Sequence, residues 1–229
     1  MKILDNINHT VREDLQDTMQ KGSRVSIAAA CFSIYAYQEL KKQLEEIAEL
    51  RFIFTSPTFV QENTPKERRE FYIPKLTREK SLYGTEFEVR LRNELTQKAL
   101  AKECADWVRR KVKFRSNVSG EQMPGFMTVG ESSYMPISGF TTVDLGCERG
   151  NNAYYPVQRT EAFENGRYFL SLFDEIWNDS SRLQDVTDIV LQSISTAYRE
   201  NSPDFIYFFT LYNICLLYTS PSPRDVEES

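Results

Sequence analysis

Histidine is nearly absent from this chain of 229 residues: His9 is the only one. A Ser–His–Asp triad or a Cys–His pair would have to be assembled around that one side chain. A histidine-based zinc or iron site would lack partners. His9 itself reads as an exposed residue of an N-terminal helix. Cysteine is scarce as well. Of four cysteines, Cys31, Cys104 and Cys147 lie far apart and no CxxC pair occurs, so neither a zinc site nor a disulfide framework is indicated. A reducing cytoplasm is the expected location. Neither G-x-x-x-x-G-K-[ST] nor G-x-G-x-x-G is present, which excludes nucleotide-binding loops of those two kinds. The longest apolar run, near Val25 to Ala36, is too short to span a bilayer. The charged start MKILDNINHTVREDLQ lacks the apolar stretch of a signal peptide.

What is present suits a globular domain. Hydrophobic residues make up 41% and charged residues 27% of the chain, ordinary values for such a protein. A net charge of −5 argues against a chain that binds nucleic acid over its whole surface. The charge is unevenly placed, however. Residues 98–115 carry seven basic side chains, Lys98, Lys102, Arg109, Arg110, Lys111, Lys113 and Arg115, against Glu103 and Asp106. Residues 161–188 carry seven acids against Arg167 and Arg182. The first run could touch phosphate and the second could not. Both also fit a solvated helix face.

Periodicity gives an α/β order. Ile3, Leu4, Ile7, Val11, Leu15 and Met19 recur at helical spacing over residues 1–21, ended by Gly22 and Ser23. RVSIAAACFS is a short apolar run that suits a buried strand. YAYQELKKQLEEIAE places Leu40, Leu44 and Ile47 on one helical face. LRFIFTSP is a second strand, closed by Pro57. Strand–helix–strand implies a right-handed crossover and a parallel pair, and the missing alternation fits a sheet covered on both sides. Residues 60–80 read as a polar excursion. A long helix is expected from about Thr85 to Lys111, with Phe87, Leu91, Leu95, Ala99 and Trp107 on its buried side. VKFRSN, GFMTVG and SYMPIS are three strand candidates between turn residues. GRYFLSLFDEIWND and LQDVTDIVLQSISTAYRE read as helices. A further aromatic helix starts at Ser202 and Pro203 and runs to Ile214.

The Gly- and Asn-rich loop from Gly139 to Asn152 leaves three readings open. Its backbone N–H groups could hold an anion with help from Arg149. Asp144 and Glu148 could act as paired acids or a cation site. Tight turns use the same residues without any ligand.

The stretch VSIAAACFSIYAYQELKKQLEEIAELRFIFTSPTF resembles the opening of phospholipase-D-like domains. REFYIPKLTREKSLYGTEFEVRLRNELTQKALAKECADWVRRKVKFRSN, YMPISGFTTVDLGCERGNNAY and NSPDFIYFFTLYNI resemble the N-terminal region of bacterial Swi/Snf-type superfamily 2 helicases. The resemblance covers almost all of residues 1–214. It implies a phospholipase-D-like mixed sheet flanked by helices over residues 1–160. A helical segment over 161–214 would then lead towards an ATP-dependent motor. ATP and Mg would belong to that motor, with no cofactor in this part. The active pattern H-x-K-x-x-x-x-D is missing, since QMPGFMTVG and YMPISGFTTVDLG supply neither its histidine nor its lysine. Without a nucleophile the covalent phosphoryl route is closed, so no catalytic or metal-binding residue is expected.

Back-translation of CLLYTSPSPRD, Cys215 to Asp225, gives a string that resembles a transposase adapter of sequencing libraries. Residues 215–229 are therefore expected to be an added, disordered tail, with the native reading stopping near Ile214. The function expected from these observations is a non-catalytic accessory domain of a helicase or DNA translocase. Its expected contacts to nucleic acid, DNA above all, are Arg109, Arg110, Lys111, Lys113, Arg115 and Arg149, with Lys66, Arg68, Arg69, Lys75, Arg78 and Lys80 as a second group. The alternative is a module for self-association or for binding the motor. A nuclease with rearranged residues is the remote third. No membrane partner is expected.

Overall fold

The computed structural model describes residues 1–56, 86–147, 156–161 and 166–196, without the side chains of residues 86–97, 166 and 196. The elements run β1 (Lys2–Leu4), α1 (Val11–Thr18), β2 (Arg24–Ala29), α2 (Ile34–Glu39), α3 (Lys41–Glu46), β3 (Glu49–Phe54) and α4 (Glu86–Lys111). They continue with β4 (Val112–Asn117), β5 (Phe126–Val129), β6 (Ser132–Met135), β7 (Val157–Thr160), α5 (Gly166–Asn178), β8 (Leu183–Asp185) and α6 (Thr187–Thr196). The class is α/β, as expected, with one mixed sheet of eight strands in the order β1-β7-β6-β5-β2-β3-β4-β8.

The expected parallel pair forms, with Val25 opposite Leu50 and Ile27 opposite Phe52. β4 continues the parallel run beside β3, whereas β5, β6, β7, β1 and β8 are antiparallel additions. Strand side chains alternate between faces. Val25, Ile27, Ala29, Leu50, Phe52, Phe54 and Phe114 therefore enter one core with residues of α1, α2, α3, α4 and α6. Ala28, Ile53 and Phe126 enter a second with Phe173 and Trp177 of α5. Cover on both faces explains why β2 and β3 read as continuous apolar runs.

Several elements differ from the sequence expectation. Residues 1–21 are not one helix. β1 pairs with β7, and the Asp5 carboxylate accepts the N–H groups of Ile7, Asn8 and His9. α1 starts only at Val11, behind a capping box of Thr10 and Glu13, which satisfies two otherwise orphaned donors. Ile3 and Ile7 are exposed, so a third of the apparent stripe is unused, and His9 is exposed in the turn before the helix. The helix expected over YAYQELKKQLEEIAE is broken at Leu40 into α2 and α3. LQD, expected to open a helix, forms the edge strand β8. β7 has no counterpart in the sequence reading.

α4 matches its expected span. Its described buried face is Leu100, Ala101, Cys104, Ala105, Trp107 and Val108, while Ala99 is exposed. Phe87, Leu91 and Leu95 lie outside the described side chains. The excursion at 60–80 with its six basic residues, the helix from Ser202 to Ile214 and the tail at 215–229 also lie outside the described residues. Residues 166–196 pack on the same sheet, through β8 on β4 and α6 on α4. Among the described residues, no helix is long and apolar enough to cross a membrane.

Candidate nucleic-acid interface

The basic run of residues 98–115 is split by the sheet. α4 brings Arg109 and Arg110 to the solvent side of the larger core. There Arg109 pairs with Asp106 at 2.6 Å and Arg110 with Glu45 of α3 at 3.0 Å. Lys111 turns inward, and its ammonium donates to the carbonyls of Glu45 and Ile47 at 2.5 and 2.7 Å. These are the open carbonyls at the end of α3, where a cation also meets the negative end of the helix dipole. Strand alternation then sends Lys113 and Arg115 to the opposite face.

Lys113 is exposed there. Arg115 is half-buried, lies 4.6 Å from the Trp177 ring centroid and donates to the Trp177 carbonyl. Arg51, its neighbour on β3, pairs with Asp174 at 2.7 Å and also faces Trp177 and Phe173. Both arginines thus hold α5 on the sheet, and Arg115 is a packing residue rather than a free phosphate contact. Arg149 lies outside the described residues.

α3 adds cations that the sequence run did not include. Lys41 reaches Glu103 of α4 at 2.8 Å, and Lys42 is exposed beside it. The outer surface of the α3–α4 pair therefore presents Lys41, Lys42, Lys102, Arg109 and Arg110 among Glu45, Glu46, Glu103 and Asp106. The lysine pair is visible in KKQLEE, but only the crossover places it next to residues sixty positions later.

The described part of the loop, residues 139–147, is held by hydrogen bonds among its own residues and from Asn6. Asp144 accepts from Thr141 Oγ1, and its carbonyl accepts from Asn6. Burial raises the Asp144 pKa, partly opposed by hydrogen bonds from Thr141 and the backbone of Gly139. Cys31 lies against the same glycine, for a Cβ on Gly139 would stand 2.6 Å from its sulfur and 2.8 Å from Asp144 Oδ2. Burial and the Asp144 charge both raise the Cys31 thiol, the reverse of what a thiolate nucleophile needs. Glu148 lies outside the described residues.

This loop sits past the carboxyl end of β2, where parallel strands continue on one side and antiparallel ones on the other. α/β sheets commonly hold ligands at such a switch point. Here Phe32 and Phe140 bridge and stack across it, with ring centroids 5.8 Å apart. The β5–β6 hairpin beside it carries no histidine and no lysine. Among the described residues, no three His, Cys, Asp or Glu side chains converge as metal ligands would.

One buried charge network lies elsewhere in the larger core. Asp14 of α1 accepts from Lys2 at 2.5 Å, Tyr134 at 2.9 Å and Arg159 at 3.3 Å. It joins α1 to β1, β6 and β7. Burial pushes its pKa up, but hydrogen bonds from Lys2 and Tyr134 and the charges of Arg159 and Lys2 prevail and hold it below the usual aspartate value of 3.8. A carboxylate this fully engaged is built for cohesion rather than for proton transfer.

No protein-family model matches the chain, and no curated protein is significantly similar to it.

Proposed function

We propose that this chain is a non-catalytic, phospholipase-D-like accessory domain of an ATP-dependent helicase or DNA translocase, and that it contacts the phosphate backbone of nucleic acid. The observation that carries the reading is the outer surface of α3 and α4, which gathers Lys41, Lys42, Lys102, Arg109 and Arg110 from two helices. Phosphate contacts of this kind position a protein on nucleic acid without reading sequence. The sheet order supports the family reading, since a parallel β2–β3–β4 run joined through helices is followed by the antiparallel strands β5 and β6. The hairpin without histidine or lysine supports a role without chemistry. ATP and Mg would serve the adjoining motor.

The test is fluorescence anisotropy with a labelled duplex and a labelled single strand across a salt series. The expected dissociation constant lies on the order of 10⁻⁶ to 10⁻⁴ M, weakening steeply with salt. The triple variant K102E/R109E/R110E is expected to abolish binding. Absence of binding at low salt, or full binding by the triple variant, would overturn the proposal.

A second reading is self-association. Ile3 and Ile7 are exposed beside the edge strand β1, and an edge with apolar neighbours invites pairing. Sedimentation at high concentration separates it from the first, because a strict monomer removes it.

A further inference from the structure

The acidic run of residues 161–188 has no part in phosphate binding, yet the fold gives some of it a defined setting. α5, the turn after it and the β4–β5 connection enclose a cleft of about 270 Å³. Met123, Pro124, Leu172 and Ile176 give it apolar walls, and Glu121, Glu175, Asp179 and Arg182 stand around them. Arg182 is already engaged, with Asp179 at 3.1 Å and Glu121 at 3.5 Å. Glu175 is exposed and makes no ion pair among the described residues. Three carboxylates against one guanidinium leave the rim net negative.

Asn117 closes the inner end, but its amide is fully used. Its Nδ2 donates to the carbonyls of Thr55 and Glu121, and its Oδ1 accepts from Ser119. The inner end therefore offers apolar contact and a fully used Asn117, while the charges and the exposed Gln122 stand at the mouth. Pockets for drug-sized ligands run to about 300–1,000 Å³, and this cleft, just below that range, has room for an extended side chain and its flanking backbone. An apolar stem with a cationic head that stays near water is the lysine side chain. Its ammonium is a compact charge that needs no planar bidentate partner, unlike an arginine fork.

We propose that this cleft receives a lysine side chain of a partner chain, with the stem on Met123, Leu172 and Ile176 and the ammonium at Glu175 and Glu121. The site lies against α5, across the sheet from the α3–α4 surface, and does not depend on nucleic-acid binding.

The experiment uses the full chain with ¹³C-methyl methionine. Met123 reports on the cleft, and Met1, Met19 and Met127, which lie outside its apolar cluster, serve as internal controls. Acetyl-Gly-Lys-Gly-amide is expected to shift Met123 selectively and saturably. The norleucine analogue, which lacks the charge, and methylammonium, which lacks the stem, are expected to leave it in place. E175Q should weaken the lysine peptide about two- to fivefold, the range of an exposed ion pair. E131Q, at an exposed carboxylate on the β5–β6 turn, should leave it unchanged. Equal shifts with methylammonium or with the norleucine peptide would overturn the proposal, as would full affinity in E121Q/E175Q. Saturation by pentylammonium but not by the peptide would assign the cleft to a free amine and overturn the partner-borne side chain.

Discussion

The ammonium of Lys111 rests on the carbonyl oxygens of Glu45 and Ile47, so the end of α4 closes the end of α3. A charged hydrogen bond of this kind contributes about 1.5–3 kcal/mol. K111Q is expected to lower the unfolding free energy by about 1.5 kcal/mol, because Lys111 is only half-buried. K113Q, at an exposed position, should stay within about 0.5 kcal/mol. Urea denaturation of the two variants makes the comparison, and equal effects would contradict the capping role.

Arg115 is expected to affect stability and not nucleic-acid affinity. It lies over the Trp177 ring and donates to the Trp177 carbonyl. R115A should therefore lose about 1–2 kcal/mol, a cation–π contact plus a hydrogen bond. Anisotropy below the melting transition should give unchanged binding, whereas K102E/R109E/R110E should lose binding, with only the small loss of stability that two exposed ion pairs account for.

Asp14 makes stability fall in acid. Its folded pKa lies below the ordinary value of 3.8. A carboxylate lowered in this way stabilises the fold above its unfolded pKa, and the contribution disappears as pH drops through the folded one. Unfolding free energy is expected to decline from about pH 4 downward. D14N should flatten that decline. At neutral pH it should also destabilise by about 1–3 kcal/mol, since Arg159 keeps only the exposed Glu161 and the half-exposed Lys2 turns to water. Melting curves of both proteins from neutral pH into acid supply the check.

Gly125 marks a close approach of two backbones. A Cβ there would stand 1.7 Å from the carbonyl oxygen of Ile137, which no rotamer change relieves. G125A is expected to destabilise by about 3 kcal/mol, the upper end for overpacking. Thermal unfolding measures it, and a shift within error would refute the close approach.

The central strands were legible because burial on both faces makes an apolar run that needs no alternation, as in Val25–Ala29 and Leu50–Phe54. α4 was legible from its length. β1 was not, because Lys2–Leu4 is too short to carry a period and is strand only through its partner β7. The break at Leu40 was not legible because Leu40, Leu44 and Ile47 keep a helical spacing through it. The basic cluster was legible as composition but not as a surface. Alternation along Val112–Asn117 sends neighbouring cations to opposite faces, and only the crossover brings Lys41 and Lys42 beside α4.

The pairing of Lys2 with Arg159 orders events during synthesis. β1 is made long before its partner, since β7 is more than 150 residues downstream. At about 5–20 residues per second, β1 waits roughly ten to thirty seconds beside the ribosome with its backbone groups open. Lys2 then does more than neutralise Asp14. A charge on an unpaired edge discourages a premature strand partner until Arg159 arrives to share the same carboxylate.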